Sequence, residues 1–246
     1  IKKAIQDSLL TEDRINRSCY KILKAKEWLG LTSDVQLDTL NVLNRAQNDD
    51  SEFLIRRLEE GALTLLKNVE EEIPIAELKN QKIAVLTLGN SDSKAFVNQL
   101  KRYANVHTFD TAMDEASDFD RLIISIHKSN ISPWKSYKIT NAEKQIIIGF
   151  SKKTSVSLVV FANPYSLLNA DYLYDVKSVL MAYQNSKTMQ SLAAQSIFGA
   201  IPINGKLPVS LTDEFVSGFG LNIEPLKRLK YTVPEEVGLN RDTLYL

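Results

Sequence analysis

The order of apolar and polar positions divides the chain into an early helical stretch and a longer region where strands alternate with helices. Residues 1–31 predict helix: within Thr11–Leu29, apolar Ile15, Cys19, Ile22, Leu23 and Trp28 recur at helical spacing with charges between them. Gly30 is placed to end that helix in a left-handed conformation. A second helix is expected over 51–68, with Phe53, Leu54, Leu58, Ala62, Leu65 and Leu66 as its stripe and Asp50 or Ser51 as its cap. The polar stretch 32–48 reads as a connection. From residue 81 the period changes. Ile83–Leu88 predicts a buried strand ending at Gly89, and Asn90-Ser91-Asp92 offers a cap for a helix over 94–103. Further strands are expected at 106–109, 122–126, 157–161 and 178–183, with a closing helix at 188–198. Thr140-x-x-Glu143 is a capping box, so Ile146-Ile147-Ile148 is expected on a helix despite its β-branched residues.

Five near-continuous apolar strands joined by helices imply parallel pairing through right-handed crossovers, with both sheet faces covered. The expected fold is therefore α/β, a three-layer α/β/α sandwich on a mainly parallel sheet, preceded by a helical segment. Residues 211–246 show little periodicity and read as a tail or linker. The nine glycines and seven prolines are about half the usual share, which favours long elements.

Composition narrows the partners. Thirty basic and thirty acidic residues leave no formal net charge, against the basic stripe that nucleic-acid binding requires. The apolar runs fall far short of the roughly 20 residues that span a bilayer. Lys2-Lys3 leads into Ala4-Ile5-Gln6-Asp7, not into the apolar core of a signal sequence. The single cysteine, Cys19, allows no disulfide within the chain.

Most candidate chemistry has an ordinary structural reading. The loop Gly89–Ser93 holds one glycine, so it is neither a dinucleotide fingerprint nor a Walker loop, and capping explains it. No Gly-x-Ser-x-Gly occurs, while Ser-x-x-Lys occurs at Ser18, Ser91, Ser125 and Ser132 with no Lys-Thr-Gly to accompany it. His107 and His127 are twenty residues apart on different strands, so no metal site and no cofactor is expected. The carboxylate runs at 49–50, 70–72 and 235–236 read as solvated surface. The strand-end loops carry more weight, since open α/β sheets bind ligands at the carboxyl ends of their strands. His127, Lys128, Asn130, Asn163 and Tyr165 are expected to gather there, either near substrate or at a domain contact. The plain alternative is that they cap helices.

Three strings resemble the C-terminal domain of family 3 glycoside hydrolases: Gly61–Asn68, Phe161–Tyr165, and Gln190–Gly199 followed by Asn204-Gly205-Lys206-Leu207-Pro208-Val209. Upstream, Arg14–Leu31 is similar to the segment that closes the family's preceding barrel domain, so the resemblance spans roughly residues 12–215. Tyr231–Leu239 is similar to the lead-in of a β-lactamase-like domain found after some bacterial members. The resemblance implies four segments: 1–35 as the helical end of a barrel domain not included here, 36–80 as linker and first long helix, 81–215 as the α/β sandwich, and 216–246 as a tail or linker. It also implies that both ends are cuts in a longer polypeptide, with the barrel domain and a carbohydrate as partners and a periplasmic or secreted location.

The departures from the family pattern matter as much. Retaining chemistry sets nucleophile and proton donor about 5–5.5 Å apart across one sugar, and the family's nucleophile lies on the barrel. The β-glucosidase branch takes its acid/base glutamate from a Glu-Gly-x-Asp-Arg-like loop of the C-terminal domain. Here the comparable connection reads Asn130-Ile131-Ser132-Pro133-Trp134-Lys135. That implies the β-N-acetylglucosaminidase branch, with this segment a non-catalytic scaffold, inactive alone, and no residue carried over as catalytic. The barrel-facing sides of helices 12–29 and 51–68 are then expected to be exposed. The alternatives are a stand-alone α/β module binding sugar or peptide and, more weakly, a flavodoxin-like domain.

Overall fold

The computed structural model describes residues 1–31, 42, 49–111, 114–129, 132, 134 and 136–244. The chain forms two compact units, Ile1–Asn48 and Asp49–Leu246. The first holds helices α1 (Lys2–Gln6) and α2 (Glu12–Trp28). The continuous helix expected over 1–31 is broken between them, where Ser8 takes a positive φ of 57°, and the Thr11 side chain restarts it by accepting from the Arg14 amide. No residue of α2 is buried, and its apolar positions face water, with Trp28 83% exposed.

The second unit begins with α3 (Asp49–Ala62) and β1 (Thr64–Asn68). This corrects the helix expected over 51–68. Leu63, Thr64, Leu65 and Leu66 are all buried, an unbroken buried run that suits a strand covered on both faces better than the end of a one-sided helix. Periodicity cannot separate the two, because Leu65 and Leu66 also fall on the helical stripe. The remaining elements are β2 (Ile83–Gly89), α4 (Lys94–Leu100), β3 (Val106–Thr108), β4 (Arg121–His127), α5 (Asn141–Ser151), β5 (Ser155–Phe161), β6 (Ser178–Met181), α6 (Lys187–Ile197) and α7 (Arg241–Leu244).

The sheet has six strands, one more than expected, in the order β1-β6-β5-β4-β2-β3. β1 runs antiparallel to β6 and all other pairs are parallel. The chain leaves β2 on one side for β3 and returns on the other for β4. That reversal makes the carboxyl ends of β2 and β4 the switch point at which open α/β sheets generally take their ligands. One sheet face buries Phe96 and Leu100 of α4 and Met189, Leu192 and Ile197 of α6 against Val85, Ile123 and Val159. The opposite face buries Ile147 of α5 and Leu167, Leu173 and Phe215 against Ile124, Leu158 and Val160.

Within 211–246, where no periodicity predicted an element, part of the described chain lies along the sandwich. Leu211 and Phe215 are buried, and isolated bridges join Leu221 to Leu65 and Ile223 to Ile203. Leu221 thereby covers part of the free edge of β1.

The capping box forms as the sequence predicts: Thr140 Oγ1 accepts from the Glu143 amide at 3.2 Å, and Glu143 Oε2 accepts from the Thr140 amide at 2.7 Å. Removing the hydroxyl in Thr140→Ala is expected to cost about 1 kcal/mol of unfolding free energy in a urea titration. An unchanged midpoint would mean that α5 is set by its packing alone.

Candidate functional site at the carboxyl edge of the sheet

This edge of the sheet is assembled from the loops that follow β2, β4 and β6. Gly89 pairs in register with His127, and its φ of 106° is open only to glycine. A Cβ there would lie 2.1 Å from the His127 carbonyl oxygen, which also accepts from the Asn90 amide at 3.0 Å. The turn after β2 is thus laid directly against the end of β4.

His127 is the hub of this edge and is fully buried. Its ring stacks on Phe161 at 4.6 Å and meets the edge of Phe96 at 6.0 Å. Asn185 Nδ2 donates to the Asp92 carbonyl at 2.9 Å, which turns Asn185 Oδ1 toward the imidazole. His127 Nδ1 therefore donates to that oxygen at 2.7 Å, and Nε2 is left to accept from the Ser125 hydroxyl at 3.0 Å. Gln190 completes the knot, donating to the Asp92 carbonyl at 2.9 Å and accepting from the Phe96 amide at 3.1 Å. Burial pushes the His127 pKa down to about 4, against the Asn185 hydrogen bond and the Asp92 charge, which favour protonation. The imidazole is neutral at physiological pH.

Ser125, His127 and Asn185 have the connectivity of a serine nucleophile with its base and orienting group. Ser125 and His127 are both wholly buried, however, so no substrate reaches the hydroxyl. The array ties three loops together.

Lys128 points to the other side of β4. Its Nζ lies 2.6 and 2.8 Å from the two Glu143 oxygens, and only 4% of the residue is exposed. Burial alone would raise the Glu143 pKa, but Lys128 and the Thr140 cap hold it below the usual carboxylate range. Asn163 accepts from the Tyr165 amide at 3.0 Å and caps the short turn Pro164–Leu167, while Tyr165 itself is exposed. Asn130 lies outside the described residues. The structure thus places His127, Lys128, Asn163 and Tyr165 at one sheet edge but gives the first three internal partners.

Sequence reasoning missed Ser125, Asn185 and Gln190 as members of this network. Asn185 and Gln190 act through contacts 58 and 98 residues apart, for which no local pattern exists, while Ser125 lies two residues from His127. Among the described residues no group of three or more His, Cys, Asp or Glu is placed to hold a metal ion, and no helix is long and apolar enough to cross a membrane.

No protein-family model matches the sequence, and comparison with curated proteins finds no match. Solved structures do match in fold. A β-glucoside phosphorylase, BglX, superposes over 85% of this chain and 40% of its own, with a TM-score of 0.61 at 20% identity. A glycoside hydrolase family 3 β-N-acetylglucosaminidase from Paenibacillus sp. str. FPU-7 covers 85% of this chain and 42% of its own, with a TM-score of 0.53 at 19% identity. A Listeria innocua β-glucosidase in complex with laminaribiose covers 86% and 34%, with a TM-score of 0.60 at 18% identity. The chain therefore spans about two fifths or less of each of these proteins, and shares with them an α/β fold.

Proposed function

We propose that this chain is the C-terminal α/β sandwich of a family 3 glycoside hydrolase, serving as scaffold and as one wall of the substrate pocket. The observation that supports the reading is the fold match over 85% of the chain to a β-glucoside phosphorylase and a family 3 β-N-acetylglucosaminidase, each more than twice its length. The motif strings noted in the sequence support the same reading. The parent enzyme removes terminal β-linked N-acetylglucosamine by a retaining route, outside the cytoplasm. That subtype rests on the connection after β4, which lacks the acid/base glutamate motif of the β-glucosidase branch.

In this reading the nucleophile and proton donor belong to the barrel. The buried network acts as a frame: His127, Lys128 and Asn163 hold the loops, and the exposed Tyr165 is presented toward the barrel or the sugar. The exposed apolar positions of α2 and α3 meet the barrel. The unburied apolar stripe of α2 fits a helix that packs its apolar face on a further surface.

A stand-alone sugar- or peptide-binding module is the competing reading, favoured by Trp134, which is 92% exposed on the loop leaving β4. Isothermal titration with N-acetylglucosamine and with muropeptides separates the two. The scaffold reading expects no heat from the chain alone. Saturable heat lost on Trp134→Ala would establish the binding module instead.

A further inference from the structure

Helix α3 is amphipathic in an unusual sense: its apolar Leu54, Ile55 and Leu58 are more than half exposed, while Arg56 and Glu59 are buried. Glu59 accepts from the Ser186 hydroxyl at 2.6 Å, next to the start of α6. The rest of the charged face is occupied by residues 230–241. Arg56 Nε donates to Glu236 at 3.3 Å, and the same guanidinium bonds the Tyr231 carbonyl. Lys230 Nζ lies 2.7 Å from Glu60 and also pairs with Glu236. Arg241 bridges Glu235 at 3.0 Å and Glu52 at 2.8 Å. Glu236 is the centre of this array, taking Arg56, Lys230 and the Thr232 hydroxyl together.

The segment just before it is held differently. Arg228 donates to the carbonyls of Ile75, Phe198 and Ala76 at 2.5–2.6 Å. The Leu226 amide reaches the Gly199 carbonyl at 2.7 Å, the Tyr103 hydroxyl donates to the Leu229 carbonyl at 2.7 Å, and the Tyr231 amide donates to Gln195 at 2.8 Å. These acceptors are neutral, and Tyr231 packs edge-on against Tyr103 at 5.4 Å. Lys230 sits at the joint, pairing with both Glu60 and Glu236; beyond it the contacts to α3 run between full charges, Glu236 with Arg56 and Arg241 with Glu52, whose side chains keep between 8% and 52% of their exposure. Among the described residues, none from 216 to 244 is buried, so little apolar surface holds the segment.

The geometry points to residues 232–241 as a clasp that closes on α3 by charge and is released by salt, while residues 226–231 stay anchored. Opening it uncovers the inward charged face of the same helix that turns its apolar stripe outward. The fastening of residues beyond 231 is thereby linked to the state of α3. The inference does not depend on the function proposed above.

Hydrogen exchange on the intact chain tests it, comparing about 20 mM with about 500 mM NaCl, where the Debye length falls from roughly 20 to 4 Å. The turn amides of Glu236, Gly238 and Leu239, which bond Val233, Glu235 and Pro234, are expected to lose protection about tenfold in high salt. The Leu226 amide and the strands β4 and β5 should be unchanged. Glu236→Gln, which removes the shared carboxylate, should produce the same loss at low salt. Equal protection of the turn at both salt concentrations would overturn the clasp. So would loss of the turn and of residues 226–231 together, because the two would then be one unit.

Discussion

Gly89→Ala is expected to lower the unfolding free energy by about 3 kcal/mol or more, a large part of the 5–15 kcal/mol that holds a typical domain. Two costs add. The φ of 106° at Gly89 is strained for any L-residue, and the new Cβ would fall 2.1 Å from the His127 carbonyl oxygen and 2.8 Å from its carbonyl carbon. Both atoms are backbone in the middle of the sheet, so neither can swing aside as a side chain would. Relief requires parting β2 from β4 at their carboxyl ends, which also breaks the Asn90 amide bond to His127. Gly149→Ala is the matched control. It lies within α5 with nothing inside 4 Å of the added Cβ, and should raise stability by about 0.5–1 kcal/mol. Urea titration of the two variants reads both signs. A neutral Gly89→Ala would mean that the turn after β2 is not pressed against β4.

The second large effect is a pH dependence owed to His127. Its folded pKa of about 4 lies below the ordinary 6.5, because burial disfavours the charged ring. Between those values the unfolded chain binds a proton that the folded chain does not, so stability falls as the pH drops from about 6.5 to about 4 and levels off below. The full span amounts to roughly 3 kcal/mol. Glu143 acts in a lower window. Its folded pKa is depressed, so its contribution is present above the unfolded value of 4.5 and is lost as the pH falls through the folded one. Glu59 has the opposite sign: burial raises its pKa, so acidification favours the folded chain there. His127→Gln isolates the histidine, because glutamine keeps a donor and an acceptor but does not titrate. The variant should be less stable at neutral pH and lack the slope between pH 6.5 and 4 that the parent shows. A parent whose stability is flat across that range would contradict a buried neutral imidazole.

The parallel strands were legible because each is a short apolar run bounded by turn residues. Thr140 and Glu143 revealed α5 against the β-branched Ile146–Ile148 because a capping box is a local device, complete within four residues. β1 was not legible. Leu65 and Leu66 satisfy a helical stripe as well as a buried strand, and only the pairing of Leu65 with Leu180 and of Lys67 with Val179 of β6 decides between them. The course of residues 211–241 was hidden for a similar reason, since Leu221, Ile223 and Arg228 are placed by distant partners and not by a repeat of their own. At the carboxyl edge of the sheet, sequence reasoning placed His127, Lys128, Asn163 and Tyr165 near one another, because strand ends follow from the order of elements. It did not find the bond from His127 to Asn185 or the closure of Lys128 on Glu143. Both come from which side of β4 each residue faces and from what the neighbouring loops bring to it.

The central proposal, a scaffold that completes a glycosidase without supplying its catalytic groups, is tested most directly by hydrolysis of an aryl β-N-acetylglucosaminide beside an aryl β-glucoside. Circular dichroism on the same sample establishes that the chain is folded. No turnover of either substrate is expected from this chain, and turnover of the N-acetylglucosaminide is expected once the parent barrel is joined ahead of it. Turnover by the chain alone would mean that a complete acid and nucleophile pair lies within its 246 residues, and would contradict the proposal.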